Sequence, residues 1–301
     1  MKRTGIIIIL LCILIPIKSQ FEAYYSGPDT KSQINNWYED IIVEFWGGEK
    51  LVFSRGSGYL PCLESSEGKW FVNEVISRNW DYTSKHTDRN HRRNYVRIID
   101  NNSEKIIIYW RYYPYLLFTK NPRTVHEVFI IFPDGRIIRE ISQGRAKTYC
   151  GDIADIKQVQ FLQITKNGFS EYPLQGDYQS TQSLASQDTF QSNPQELSLL
   201  YGCEYIGYNN DQSAYVVKRI AGDLGFSILA GAQQPLVNPC FNIQNWLGKT
   251  EATVTLNGKE LLSGKDYRQQ VVYDTEGKEM LIIWMKTIQY EPVRITIVPP
   301  K

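Results

Sequence analysis

The chain has 301 residues, 42% of them hydrophobic, 22% charged and 13% aromatic. That length and balance exclude a chain disordered as a whole and leave enough apolar material for a sizeable core. With 33 basic against 32 acidic residues the net charge is +1, which excludes a global basic field for nucleic acid, so no nucleic-acid partner is expected.

The first twenty residues carry the three-part pattern of an export signal: Lys2 and Arg3, the apolar run Gly5–Ile17, then Lys18-Ser19-Gln20. The run is shorter than the roughly 20 residues a membrane span needs. Cleavage after Ser19 defines residues 1–19 as a signal peptide and gives a secreted or periplasmic protein with no membrane span. The mature chain then holds 30 basic and 32 acidic residues. In such a compartment Cys62, Cys150, Cys203 and Cys240 admit three full pairings, or remain isolated buried thiols.

Along the mature chain the apolar segments are short, rich in Ile, Val, Tyr, Trp and Phe, and bounded by Gly, Asn, Asp or Pro. This is the strand signature. In chain order the expected strands are Ile41–Trp46, Lys50–Arg55, Lys69–Glu74, Tyr95–Asp100, Lys105–Tyr113, Val125–Phe132, Arg136–Ser142 and Gln158–Thr165. Then follow Leu199–Tyr208, Ala214–Arg219, Gly225–Ala230, Glu251–Leu256, Gln269–Tyr273, Met280–Lys286 and Val293–Val298. Period-two alternation puts Ile106, Ile108, Trp110 and Tyr112 on one face and Ile107, Tyr109 and Arg111 on the other.

Pro133-Asp134-Gly135 and Asn257-Gly258 read as tight hairpin turns. Helices are expected only at Gln33–Glu39 and around Pro194–Leu200. The fold class is therefore all-β, an antiparallel jelly-roll-like β-sandwich with few helices. A main domain is expected over residues 20–237, with a polar Gln/Ser-rich loop at 175–196 preferred over a linker. Residues 238–301 either complete the same sandwich or form a small appended β-unit.

Three features could carry chemistry. Lys85–Arg97 concentrates Arg89, Arg92, Arg93 and Arg97 with His86 and His91, an anion-binding candidate because Arg forks match carboxylate and sulfate oxygens. Ser54–Pro61 places Arg55 and Tyr59 around two glycines, either a ligand-facing rim or a bulged strand end. Tyr109–Tyr115 alternates aromatics with Arg111; such rings stack on sugar faces, although strand aromatics more often fill cores. No metal-ligand spacing, phosphate loop or catalytic triad order occurs, so neither metal nor cofactor is expected.

The segments Val52–Pro61, Gly68–Glu74, Tyr95–Asp100, Tyr109–Tyr112 and Phe132–Gly135 resemble a family of secreted β-sandwich proteins of polysaccharide-degrading Bacteroidota, some associated with polysaccharide lyases. Asn238–Phe241, Val254–Lys259, Asp266–Arg268 and Leu281–Trp284 are similar too. The resemblance implies export, a sandwich and a carbohydrate context, and it assigns no catalytic residue.

Two function classes follow. In the first, the protein is a lyase-like enzyme eliminating across a uronate of an anionic polysaccharide. His91 or His126 is then the base and Tyr59 the acid, with Arg55, Arg97 or Arg111 neutralising the carboxylate and Asn73, Glu74 and Trp110 among the substrate-binding residues. In the second, a non-catalytic glycan-binding or structural surface protein uses the same Arg and aromatic side chains without a base.

Overall fold

The computed structural model describes residues 21–26, 39–76, 94–113, 124–143, 146–148, 151–153, 156–171, 194–210, 212–247, 251–274 and 277–300. The signal segment, residues 33–38 of the first helix candidate, His86, His91, Cys150 and residues 175–193 of the polar run lie outside them.

The described chain is all-β and builds four main sheets, antiparallel except for one pair of strands. Sheet I is a meander of β1 (Glu22–Ser26), β2 (Asp40–Glu44), β3 (Lys50–Phe53), β4 (Pro61–Ser65) and β5 (Gly68–Phe71). Sheet II is also built in chain order, from β6 (Tyr95–Asn101), β7 (Ile106–Tyr112), β8 (Val125–Ile131) and β9 (Arg136–Gln143). The small ribbon β10 (Ala146–Thr148) and β11 (Gly151–Ile153) precedes its last two strands, β12 (Ile156–Thr165) and β13 (Gly168–Glu171). These two sheets thus connect locally, without the crossing connections of a jelly roll.

The second half alternates between two sheets. It runs through β14 (Leu197–Tyr201), β15 (Cys203–Asn209), β16 (Ala214–Arg219), β17 (Leu224–Ile228), β18 (Leu236–Val237), β19 (Cys240–Gln244) and β20 (Thr253–Leu256). It closes with β21 (Lys259–Glu260), β22 (Tyr267–Tyr273), β23 (Glu279–Met285), β24 (Ile288–Gln289) and β25 (Val293–Val298). Sheet III has the order β15-β16-β19-β23-β22 and sheet IV the order β14-β17-β25-β20-β21, with β18 and β24 forming a separate ribbon. The β16–β19 pair is parallel.

Three apolar layers hold the sheets in the sequence I, II, III, IV. Ile41, Phe53, Trp110, Tyr112 and Phe129 fill the space between sheets I and II. Phe226, Phe241, Ile243, Trp246 and Ile295 fill that between III and IV. A third layer, with Tyr95, Ile107, Tyr109, Cys240, Ile282 and Trp284, joins sheet II to sheet III. Each half of the chain is thus a sandwich, and the two sandwiches pack sheet to sheet. Strands in the inner sheets are covered on both faces, which is why β7 is buried at all seven positions and is apolar or aromatic at every one but Arg111.

Local chemistry explains the turns. Asp134 Oδ1 accepts from Arg136 N at 3.1 Å and Gly135 takes φ +82°, closing the β8–β9 hairpin as expected. Asn257 and Gly258 sit at φ +51° and +80°, the left-handed pair that joins β20 to β21. Between β14 and β15 the chain changes sheet at Gly202 alone. There φ is +64°, and an added Cβ would stand 1.9 Å from the Asp223 carbonyl oxygen.

Three expectations are corrected. Pro194–Leu200 is no helix: Leu197–Tyr201 is the edge strand of sheet IV, held by cross-strand bonds that local propensity does not report. Residue 238 is no boundary, since β19 sits in the middle of sheet III. The strands up to β13 and those from β14 onward close separate cores, so the halves divide across the polar run. Cys62, Cys203 and Cys240 are buried free thiols, with no bridge among the described residues.

Candidate functional site

The residues singled out by sequence scatter through the layers. Trp110 is fully buried between sheets I and II, its ring tilted by 31° against that of Tyr112 at 4.3 Å between centroids. Arg97 and Arg111 lie on the other face of sheet II, where period-two alternation sends them, and are buried against sheet III. Arg97 Nη2 donates to Gln212 O at 2.6 Å, and Arg111 Nη2 donates to Tyr273 O at 2.9 Å. Their remaining charge is faced by rings: Arg97 lies 5.3 Å from the Tyr109 centroid and Arg111 5.8 Å from that of Tyr95. These two arginines tie the sandwiches together and no polysaccharide reaches them.

His126 is buried beside Arg111, its Nδ1 within 2.6 Å of Tyr109 Oη and its Nε2 within 2.9 Å of Thr124 Oγ1. Burial, with the Arg111 charge second, pushes its pKa down to about 3. A base so weak and enclosed has no reach to a sugar C5 proton. Arg55 is half-buried in the 3-10 turn Arg55–Ser57, where its own N–H donates to Asp40 Oδ1 at 2.7 Å. Asn73 and Glu74 are exposed, and the Asn73 carbonyl accepts from Arg139 Nη1 at 2.8 Å. No single groove collects these residues.

One buried polar network escaped the sequence reading. Glu127 and Arg139 pair through two bonds of 2.7 and 3.0 Å on the sheet II face that meets sheet I. Tyr112 Oη donates to Glu127 Oε1 at 2.7 Å, and Arg139 Nη1 also donates to Gln160 Oε1 at 2.9 Å. The signal was present: Glu127 shares its period-two face with Val125, Phe129 and Ile131.

Among the described sequence candidates, Tyr59 lines a cleft that holds none of the others. The edge strands of three sheets converge there: β1 of sheet I, β6 of sheet II and β22 of sheet III. β1 is pinned to β6 because Asn101 Oδ1 accepts from Ala23 N at 3.1 Å and Asn101 Nδ2 donates to Ala23 O at 2.7 Å. The cleft has a volume of about 50 Å³ and is walled by Tyr25, Tyr59 and Trp284, with Glu39, Arg268, Gln269 and Gln270 as its polar residues.

Arg268 stacks on Tyr25, its guanidinium carbon 3.8 Å from the ring centroid, and forms an ion pair with Glu39. Tyr25 Oη accepts from Ile98 N at 2.9 Å and from Trp284 Nε1 at 3.1 Å. Both lone pairs are thereby occupied, so the hydroxyl proton remains to be donated. Burial raises the Tyr25 pKa, which keeps that proton in place at neutral pH. The region offers two donors, one carboxylate and an aromatic wall. Sequence reasoning missed Tyr25, Arg268 and Trp284 because they come from strands far apart in the chain.

The fold and this cleft define a class: an all-β protein of two stacked antiparallel sandwiches with a small polar-aromatic site at their common edge. No family and no curated protein matches the chain. Among solved structures, the C-terminal part of the R1 pyocin fiber of P. aeruginosa is similar at 7% identity and a TM-score of 0.14, over 93% of this chain and 83% of that one. At that level the likeness carries neither fold nor function. Among the described residues no group of three or more His, Cys, Asp or Glu could hold a metal ion, and no helix is long and apolar enough to cross a membrane.

Proposed function

We propose that the protein is an exported, non-catalytic glycan-binding protein whose three-edge cleft receives the acidic substituent of a polysaccharide. The observation that carries this reading is the Tyr25 hydroxyl, filled as an acceptor and open as a donor, beside the Arg268 guanidinium. A volume of about 50 Å³ is room for roughly three or four waters, the size of one carboxylate with its neighbouring carbons and too small for a chain of sugars. Tyr59 and Trp284 supply the apolar wall against which C–H surface packs. Glu39 holds Arg268 until a ligand carboxylate takes its place. The basic-then-apolar opening of the chain supports export. The elimination reading finds no support at His126, which is enclosed and held through both ring nitrogens.

Native gel electrophoresis through alginate, polygalacturonate and neutral glucan tests the reading. Retardation is expected in at least one anionic gel, with no ultraviolet-absorbing unsaturated product on incubation with the same polymers. Arg268→Ala abolishes the retardation, and Glu39→Gln strengthens it by removing the competing carboxylate. Unretarded wild-type protein, or unsaturated ends released at a rate above background, overturns it.

A further inference from the structure

The outer face of sheet IV carries a second arrangement that the cleft does not use. Glycine at 225, in β17, leaves a gap in the sheet surface, and the Tyr201 ring lies directly in it. A Cβ built on Gly225 would stand 1.8 Å from Tyr201 Cε1. The register of β14 shifts between Ser198 and Tyr201, turning Leu199 outward at φ +48° and bringing Tyr201 opposite Gly225. Tyr201 Oη donates to Thr296 Oγ1 at 3.1 Å two strands away, which fixes the ring flat across the sheet.

One ring face therefore covers the glycine backbone while the residue keeps 36% exposure. Across β17, β25 and β20 its surroundings are polar. Gly225 pairs with Thr296 and Thr296 with Thr255 across the sheet, while Ser227 pairs with Arg294. The Arg294 guanidinium carbon lies 5.6 Å from the Tyr201 centroid. A flat aromatic face, immobilised before any ligand arrives and rimmed by hydroxyls and one guanidinium, matches the apolar C–H face and equatorial hydroxyls of a pyranose ring. Leu199 and Leu200 of the same strand are also exposed, but the groups that hold the ring itself are the Thr296 hydroxyl and the Arg294 guanidinium, which favours a sugar over an apolar protein partner.

We infer that Tyr201, with Arg294 and Thr296, forms a second carbohydrate contact on which one sugar ring stacks, on the outer face of sheet IV and apart from the cleft. This rests on the glycan-binding reading and extends it: the protein holds polysaccharide at two separate places.

Full-length wild-type protein and the variants Tyr201→Phe, Tyr201→Leu, Arg294→Ala and Arg268→Ala are applied to an array of neutral and anionic oligosaccharides, each variant first checked for a wild-type melting profile. Tyr201→Leu keeps a side chain over Gly225, so the fold is retained while the flat ring is removed. At least a tenfold loss on one or more bound glycans is expected for Tyr201→Leu, a loss of several-fold for Arg294→Ala, and less than threefold for Tyr201→Phe, which keeps the ring. If Tyr201→Leu matches the wild type on every glycan bound while Arg268→Ala does not, the platform is refuted and the cleft stands. If the wild type binds nothing on the array, both fall.

Discussion

Replacing Glu127 by Gln isolates the most consequential buried charge in the molecule. Glu127 and Arg139 are 0% and 1% exposed at the side chain, so neither can turn to water. Gln keeps the shape and one carbonyl oxygen. It also puts an amide NH2 where a carboxylate oxygen accepted from the guanidinium, setting donor against donor and leaving the Arg139 cation uncompensated. Removing one partner of a buried pair costs about 3–5 kcal/mol. With a urea m-value of about 2 kcal/mol/M, the unfolding midpoint of the first sandwich falls by roughly 1.5–2.5 M. Intrinsic fluorescence reads this directly, because Trp110 sits opposite Glu127 on the adjoining strand.

The double variant Glu127→Leu with Arg139→Met removes both charges. It is expected to recover part of the loss, less about 1 kcal/mol for each of the two groups that lose Arg139, the Asn73 carbonyl and Gln160, while the Tyr112 hydroxyl keeps the Ile76 carbonyl. A midpoint shift under about 0.5 M for Glu127→Gln, equivalent to roughly 1 kcal/mol, refutes the claim that the pair is dry and mutually dependent.

Two further outcomes are expected. His126 has its folded pKa depressed from 6.5 to about 3, so below pH 6.5 the unfolded chain binds the extra proton and stability falls as pH falls. Glu140 has its folded pKa raised by burial from 4.5 to about 7, so its contribution is full below pH 4.5 and is lost as pH rises through 7. Between pH 4.5 and 6.5 the two slopes oppose. Urea titrations at several pH values should therefore show Glu140→Gln losing more stability on acidification than the wild type, and His126→Gln losing less; parallel profiles would rule the assignment out. In the backbone, Gly202→Ala should be far more damaging than Gly222→Ala. Both positions have positive φ, +64° and +59°, but only the first Cβ meets a backbone oxygen, while the second faces open space. Melting points that drop equally for the two would contradict the close-approach argument.

What the residues alone determined is the strand content and the side each strand presents. β-branched and aromatic runs punctuated by turn residues mark most strands, and the alternation in β7 sends Trp110 to one layer and Arg111 to another. Strands without that alternation went unread, such as β4, which opens on Pro61, and β19, Cys240–Gln244, whose polar Asn242 is buried. Only the tertiary structure decided what lies opposite each face. A strand pattern states that a face is covered and is silent on whether sugar or another sheet covers it, and here sheet III covers Arg97, Arg111 and His126. The same limit hid the cleft and the platform. Tyr25 meets Arg268 and Trp284, and Tyr201 meets Gly225 and Thr296, through pairings between strands distant in the chain, and sequence spacing holds no measure of that distance in space.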